Sequence, residues 1–269
     1  MDVTTRPGRG IAPRAGRLLG LWLGLAALAS AADQTERAGA IVRGSLRERR
    51  LALVFTGHEF AEGGETILDE LARHRARATF FLTGDFLDDP RFRPLVRRIV
   101  AEGHGLGPHS DKHLLYCDWS AARRTRVSKE LFRADLLANL AKIEGLGAGR
   151  PSYFLPPYEH SNEEIARWSA EVGLRLVNFT PGTRSNADYT EDRSKSFVPS
   201  RAIFESVLRR EREDPHGLNG FLLLLHVGAG PGRTDPFHAR FGALLDELAG
   251  KGYRFVRLEE LLEGEGERR

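Results

Sequence analysis

Phe221-Leu222-Leu223-Leu224-Leu225-His226 (FLLLLH) is an unbroken apolar run that ends on a titratable ring. It suits a strand in length and offers no polar face to water. A strand buried on both faces belongs to a parallel sheet with helices packed against it. Working outward, Leu51-Ala52-Leu53-Val54-Phe55 and Ala78-Thr79-Phe80-Phe81-Leu82 read the same way, with shorter strands at 105–109, 152–155, 174–179 and 253–256. Helical patterns separate them at 65–74, 94–102, 128–144, 163–172, 200–213 and 235–250. Ile67, Leu68 and Leu71 share one helix face, Ser128 is an N-cap and Gly103 a C-cap. About seven β–α repeats predict an α/β fold, and periodicity alone leaves open sheet and closed barrel as alternatives.

The N-terminus is read separately. Arg6, Arg9, Arg14 and Arg17 precede the short apolar run at 18–28 and the small-residue site Ala29-Ser30-Ala31. That order predicts a signal peptide over 1–31 and a secreted or periplasmic protein, with an uncleaved membrane anchor as the competing reading. Residues 32–50 read as a polar linker, 51–263 as the folded domain and 264–269 as a polar tail. Forty basic and 37 acidic side chains give the chain a net charge of +3. Residues 1–31 hold four arginines against one acid, the same +3, so the remainder is near neutral. No basic stripe is left for nucleic acid, and no membrane span is expected after cleavage. Cys117 is the lone cysteine, which excludes an internal disulfide and a thiolate metal cluster.

In parallel α/β folds the loops after the strands carry the chemistry. Four such loops hold unusual polar residues. In His109-Ser110-Asp111-Lys112-His113 two imidazoles face one point if the segment makes a helical turn. Two imidazoles and a carboxylate are a common zinc set with a place left for water; a pair of surface histidines fits the spacing too. In Thr56-Gly57-His58-Glu59, Glu59 is a candidate metal ligand and His58 a candidate base, or the segment is a loop with a solvated acid. In Leu155-Pro156-Pro157-Tyr158-Glu159-His160 the prolines stiffen the loop and aim the Tyr158 N–H at a developing oxyanion, or simply make a rigid connection. His226 sits where a general acid is wanted, or is a hydrogen-bonded core histidine.

Together, in this order, these segments resemble the polysaccharide deacetylase family (NodB homology, carbohydrate esterase 4) over about Leu51 to Leu262. His109-Ser110-x-x-His113 matches its H-[ST]-x-x-H motif, Leu224-Leu225-His226 its L-x-H, and Pro156-Pro157-Tyr158 its R-x-P-Y with Leu155 in place of the arginine. The ATFFLTG segment at 78–84 and the EGHGLGPHS approach at 102–110 agree as well. The first motif, T-F-D-D-G, departs: aligned on Phe55, its aspartates become Thr56 and Gly57.

The resemblance implies a distorted (β/α)7 barrel and a metal-dependent hydrolase that removes acetyl groups from a glycan. Glu59, His109 and His113 are then expected to hold a divalent ion, zinc being the candidate. His58, His226 and Tyr158 are expected to be catalytic, and Pro157, Glu159 and Asp188 to meet substrate. Glu159 and His160 are candidates to share in a rebuilt acid–base arrangement. A glycan-binding relative without chemistry, with Tyr116, Trp119, Tyr158 and Trp168 as stacking faces, and a hydrolase of other amides remain alternative expectations.

Overall fold

The computed structural model describes residues 1, 2 and 34–263. The leader reading of 1–31, apart from its first two residues, and the tail at 264–269 lie outside them. The central strands are β3 (Arg50–Gly57), β4 (Ala78–Leu82), β5 (Gly105–Pro108) and β8 (Leu222–His226), parallel and ordered β5-β4-β3-β8. Two short strands, β6 (Tyr153–Phe154) and β7 (Arg175–Leu176), pair in parallel beside them.

Alternate residues face opposite sides of a strand. Leu51, Leu53 and Phe55 of β3, with Leu223 and Leu225 of β8, pack outward under the helices. Ala52 and Val54, with Leu222 and Leu224, pack inward with Tyr153, Leu155 and Val177. Both faces are therefore dry, as FLLLLH requires. Each leucine so buried contributes about 1.5–3 kcal/mol.

The helices are α1 (Gly64–Arg73), α2 (Gly84–Asp88), α3 (Arg93–Ala101), α4 (Lys129–Gly145), α5 (Glu163–Glu171), α6 (Ser200–Glu213), α7 (His238–Gly250) and α8 (Leu258–Glu263). Ile67, Leu68 and Leu71 of α1 form its buried face. Ser128 caps α4, its hydroxyl accepting from the Leu131 N–H at 3.2 Å. Gly103, at φ 76°, ends α3 in the left-handed conformation that a glycine adopts most cheaply.

The segment read as a linker is part of the fold. Residues 35–43 form a hairpin of β1 (Thr35–Arg37) and β2 (Ala40–Arg43), turning through Ala38 at φ 50° and Gly39 at φ 77°. Positive φ at both central residues suits the twist of a two-residue hairpin. Ala40, Ile41 and Val42 are buried, and β2 bridges Val177 by Ile41 on one side and Phe221 by Arg43 on the other. It thus fills the gap between β7 and β8, while the Leu155 N–H donates to the Pro108 carbonyl at 3.3 Å to join β6 to β5. The result is a distorted barrel. The last strand, β9 (Arg254–Val256), pairs only with Arg50–Ala52 at the start of β3. Among the described residues no helix is long and apolar enough to cross a membrane.

Candidate active site

At the carboxyl ends of the strands lies a pocket of about 690 Å³, lined among others by Thr56, His58, His109, His113, Glu159 and His226. Four loops distant in sequence meet there, as the strand-end rule predicts.

His226 closes β8 opposite Thr56 of β3. Its Nδ1–H donates to Asp188 Oδ1 at 2.6 Å and its backbone N–H to Asp188 Oδ2 at 2.8 Å. Burial opposes a charge on the ring, but the Asp188 carboxylate outweighs it and holds the imidazolium above its ordinary range. Asp188 is 5% exposed and lies behind the histidine. It positions His226 rather than meeting sugar, which corrects its expected role.

His109 and His113 come together with ring centroids 5.2 Å apart and planes at 53°. They do so without a helical turn: the segment is a loop with Ser110 at φ 75° and His113 at φ 51°. Asp135 of α4 organises it, accepting from Ser110 Oγ and Tyr116 Oη at 2.6 Å each and from the Asp111 and Lys112 N–H groups at 3.2 and 3.0 Å. Asn139, one turn on, accepts from the His109 N–H at 2.9 Å and donates to the Leu82 carbonyl at 3.2 Å. Sequence reasoning missed both residues. Their signal was two polar side chains four apart within the apolar stripe of Phe132, Leu136, Leu140 and Ile143. Tyr116 is buried by the same network and Trp168 packs on Phe132, so neither offers a stacking face to sugar.

His109 Nδ1–H donates to the Leu155 carbonyl at 2.8 Å, leaving Nε2 with a free lone pair. Burial above all, then the neighbouring imidazoles, depress both rings, His113 to about 3, so both stay neutral. Two neutral imidazoles, one of them anchored through Nδ1, suit a metal. The rest of the expected set does not assemble. Glu59 has a 68% exposed side chain and stands 3.9 Å from His58 Nε2. His58 cannot replace it, because its ring is stacked on His113 at 4.4 Å with planes only 16° apart. A metal–nitrogen bond lies in the plane of its imidazole, and two nearly parallel, offset planes share no ion. At Gly57 a Cβ would come within 2.8 Å of Leu82 Cδ2 and 3.0 Å of Phe86 Cε2, so a carboxylate there requires those side chains to shift. Among the described residues no three histidine, cysteine or acidic side chains converge as a metal site. The donors present therefore do not assemble the three-ligand site, and the Glu59 side chain stands in solvent.

The double-proline loop has two faces. Pro157 is buried and off the pocket surface, a wall behind the site and not a substrate contact. Tyr158 is 45% exposed, with its ring 4.4 Å from that of His113. His160 is buried, with Nε2 donating to the Asp118 carbonyl at 2.8 Å, and is not among the residues that line the pocket. Glu159 lines the pocket. Burial lifts its carboxyl, His226 opposes that, and Asp188 adds to it, bringing it to about 7.

Comparison with known proteins agrees with this geometry. The profile of the polysaccharide deacetylase family matches residues 44–177. A peptidoglycan-N-acetylglucosamine deacetylase of Bacillus cereus is 25% identical over 226 residues, covering 84% of this chain and 73% of the relative. A chitooligosaccharide deacetylase of Sinorhizobium fredii is 31% identical over 166 residues, and the match spans 61% of this chain and 66% of that protein. In fold, the chain is similar to a Bacillus anthracis pseudoenzyme of carbohydrate esterase family 4, with a TM-score of 0.66 at 19% identity, over 85% of this chain and 70% of that one. The parallel barrel, the two histidines after β5, the tyrosine after β6 and the histidine closing β8 leave one assignment: the chain belongs to the polysaccharide deacetylase family.

Proposed function

We propose that the protein hydrolyses acetyl groups from a glycan, and the observation that carries this reading is the Asp188–His226 pair facing His109, His113 and Glu159 across one pocket. Asp188 holds the Nδ1–H, so the protonated ring presents Nε2–H to the pocket. That proton goes to the departing amine or alkoxide. The Tyr158 N–H is a donor for the oxyanion, set by the loop that Pro156 and Pro157 stiffen. The exposed aromatic side chains among the described residues, Phe60, Trp119, Tyr158 and Tyr189, all line this pocket. They offer flat apolar faces to sugar rings and support a glycan over a small amide. The B. cereus and S. fredii relatives are named as deacetylases of amino-sugar glycans, which makes an N-acetyl group the first substrate to try.

Family members are typically metal-dependent, but no step here is routed through an ion, because the donor set is incomplete. The test is acetate release from an N-acetylglucosamine pentamer and from peptidoglycan, on chelator-stripped protein with and without added zinc. No acetate under either condition, with glycan binding retained, establishes the second reading, a glycan-binding relative without chemistry. That reading is favoured by Thr56 and Gly57 in place of the first-motif aspartates. Export by a leader over 1–31 is part of the proposal and is read by N-terminal sequencing of the secreted product.

A further inference from the structure

The deacetylase reading leaves one chemical role unfilled. Water must lose a proton as it attacks the acetyl carbon, and the strand end that should supply a carboxylate supplies Thr56 and Gly57. Other acids line or adjoin the pocket. Glu59 and Glu191 are exposed to solvent, and both oxygens of Asp188 are taken by His226. Glu159 differs from all three. It is half-buried, it lines the pocket, and its carboxylate has no hydrogen-bond or ion-pair partner among the described residues.

Its backbone is built to hold it there. Tyr158 at φ 59° and Glu159 at φ 51° are consecutive non-glycine residues in the left-handed region. Each costs on the order of 1–3 kcal/mol and persists only where the surroundings impose it. Those surroundings are visible. The Glu159 N–H donates to the Pro156 carbonyl at 3.1 Å, and Asn178 Nδ2 donates to the Glu159 carbonyl at 2.7 Å. The two prolines restrict the approach of the chain. A side chain is thereby held against solvent and charge with no structural bond to make.

We infer that Glu159 is the general base of this site, the carboxylate that takes the proton of the attacking water in place of the missing first-motif acid. This rests on the deacetylase reading. The groups facing it are His226, Asp188 and Tyr189, with His58, His109 and His113 also lining the pocket. In the forward step the water oxygen bonds to the acetyl carbon and its proton passes to Glu159. The C–N bond then breaks as His226 gives its proton to the nitrogen. The products are acetic acid and the free amine, and the proton on Glu159 returns to His226 to reset the pair. The consumption of one water and one amide is balanced without an oxidant or a cofactor. A carboxyl near 7 suits a base that works at neutral pH.

The experiment measures acetate release from the N-acetylglucosamine pentamer across pH 5–9 for the parent, Glu159→Gln and Glu159→Asp, with circular dichroism as a check on folding. The expected result is a loss of about 10²–10⁴-fold in kcat for Glu159→Gln with little change in KM. The ascending limb of the parent profile, near pH 7, should vanish in the residual activity, and Glu159→Asp should restore part of the rate. A merely structural glutamate would not remove that limb selectively. A folded Glu159→Gln protein that keeps the parental rate and limb overturns the base and leaves the deacetylase standing. A parent that releases no acetate overturns both.

Discussion

The two walls of the pocket were built to different standards. On the β8 wall His226 is fixed twice to Asp188, and its charge, position and tautomer are all determined by one carboxylate. On the β3 wall, one hydrogen-bonded register away, the Thr56 hydroxyl is buried without a partner and Gly57 is packed shut against Leu82 and Phe86. His58 has a 3.2 Å contact from Nδ1 to Thr83 Oγ1, and Glu59 faces water. One wall thus holds its ionisable ring in a defined state while the strand beside it is filled by packing. On the proposed reading the chemistry lies on the β8 wall, and the β3 wall is packed.

That contrast can be broken from its strong side first. His226→Ala should cost about 10²–10⁴-fold in kcat, measured as acetate release, with the fold retained. Asp188→Asn keeps the shape but removes the charge, and should bring the alkaline limb of activity down toward the ordinary imidazole value of 6.5. The same variant has a stability signature. The folded pKa of His226 is raised, so its contribution is complete below 6.5 and is lost as pH rises through the folded value. Chemical denaturation across that window should show the decline in the parent and not in Asp188→Asn.

On the β3 wall the expected effects are on stability, and smaller. Gly57→Asp should lower stability by about 1–3 kcal/mol, the cost of overpacking, in a urea melt. If the variant is instead as stable as the parent, the packing account of this wall is wrong. Combining it with Leu82→Ala should cost less than the sum of the two, since one makes the space that the other fills. Thr56→Val, which removes a buried hydroxyl without a partner, should be neutral or stabilising by up to about 1 kcal/mol. A loss of more than that would show that the hydroxyl has work to do.

The same contrast marks what the sequence could disclose. FLLLLH and LALVF announce strands because both faces are dry, and a strand's last residue must then stand at the rim; His226 and His109 were legible for that reason. Glu59 was not. In an extended chain one residue of register turns a side chain to the other face, and no composition rule says where β3 stops. The H-x-x-x-H pair was found by spacing, but its shape was not, because Asp135 bends that loop from 22 residues beyond His113. The β1–β2 hairpin stayed hidden because its turn is Ala38-Gly39, without the Asn-Gly or Asp-Gly that advertises such turns. Glu159 was noticed as an acid beside a motif, but its isolation from partners is a property of three dimensions.

Gly57 has a further meaning when considered over time. An aspartate arriving there by a single exchange meets Leu82 and Phe86 before it can meet anything useful. A smaller residue at 82 or 86 would make room for a first-motif carboxylate, but it leaves a cavity while glycine remains. The order of changes matters, and each first move is uphill. The acid–base work proposed for this barrel therefore falls to other loops, the one that carries Glu159 among them.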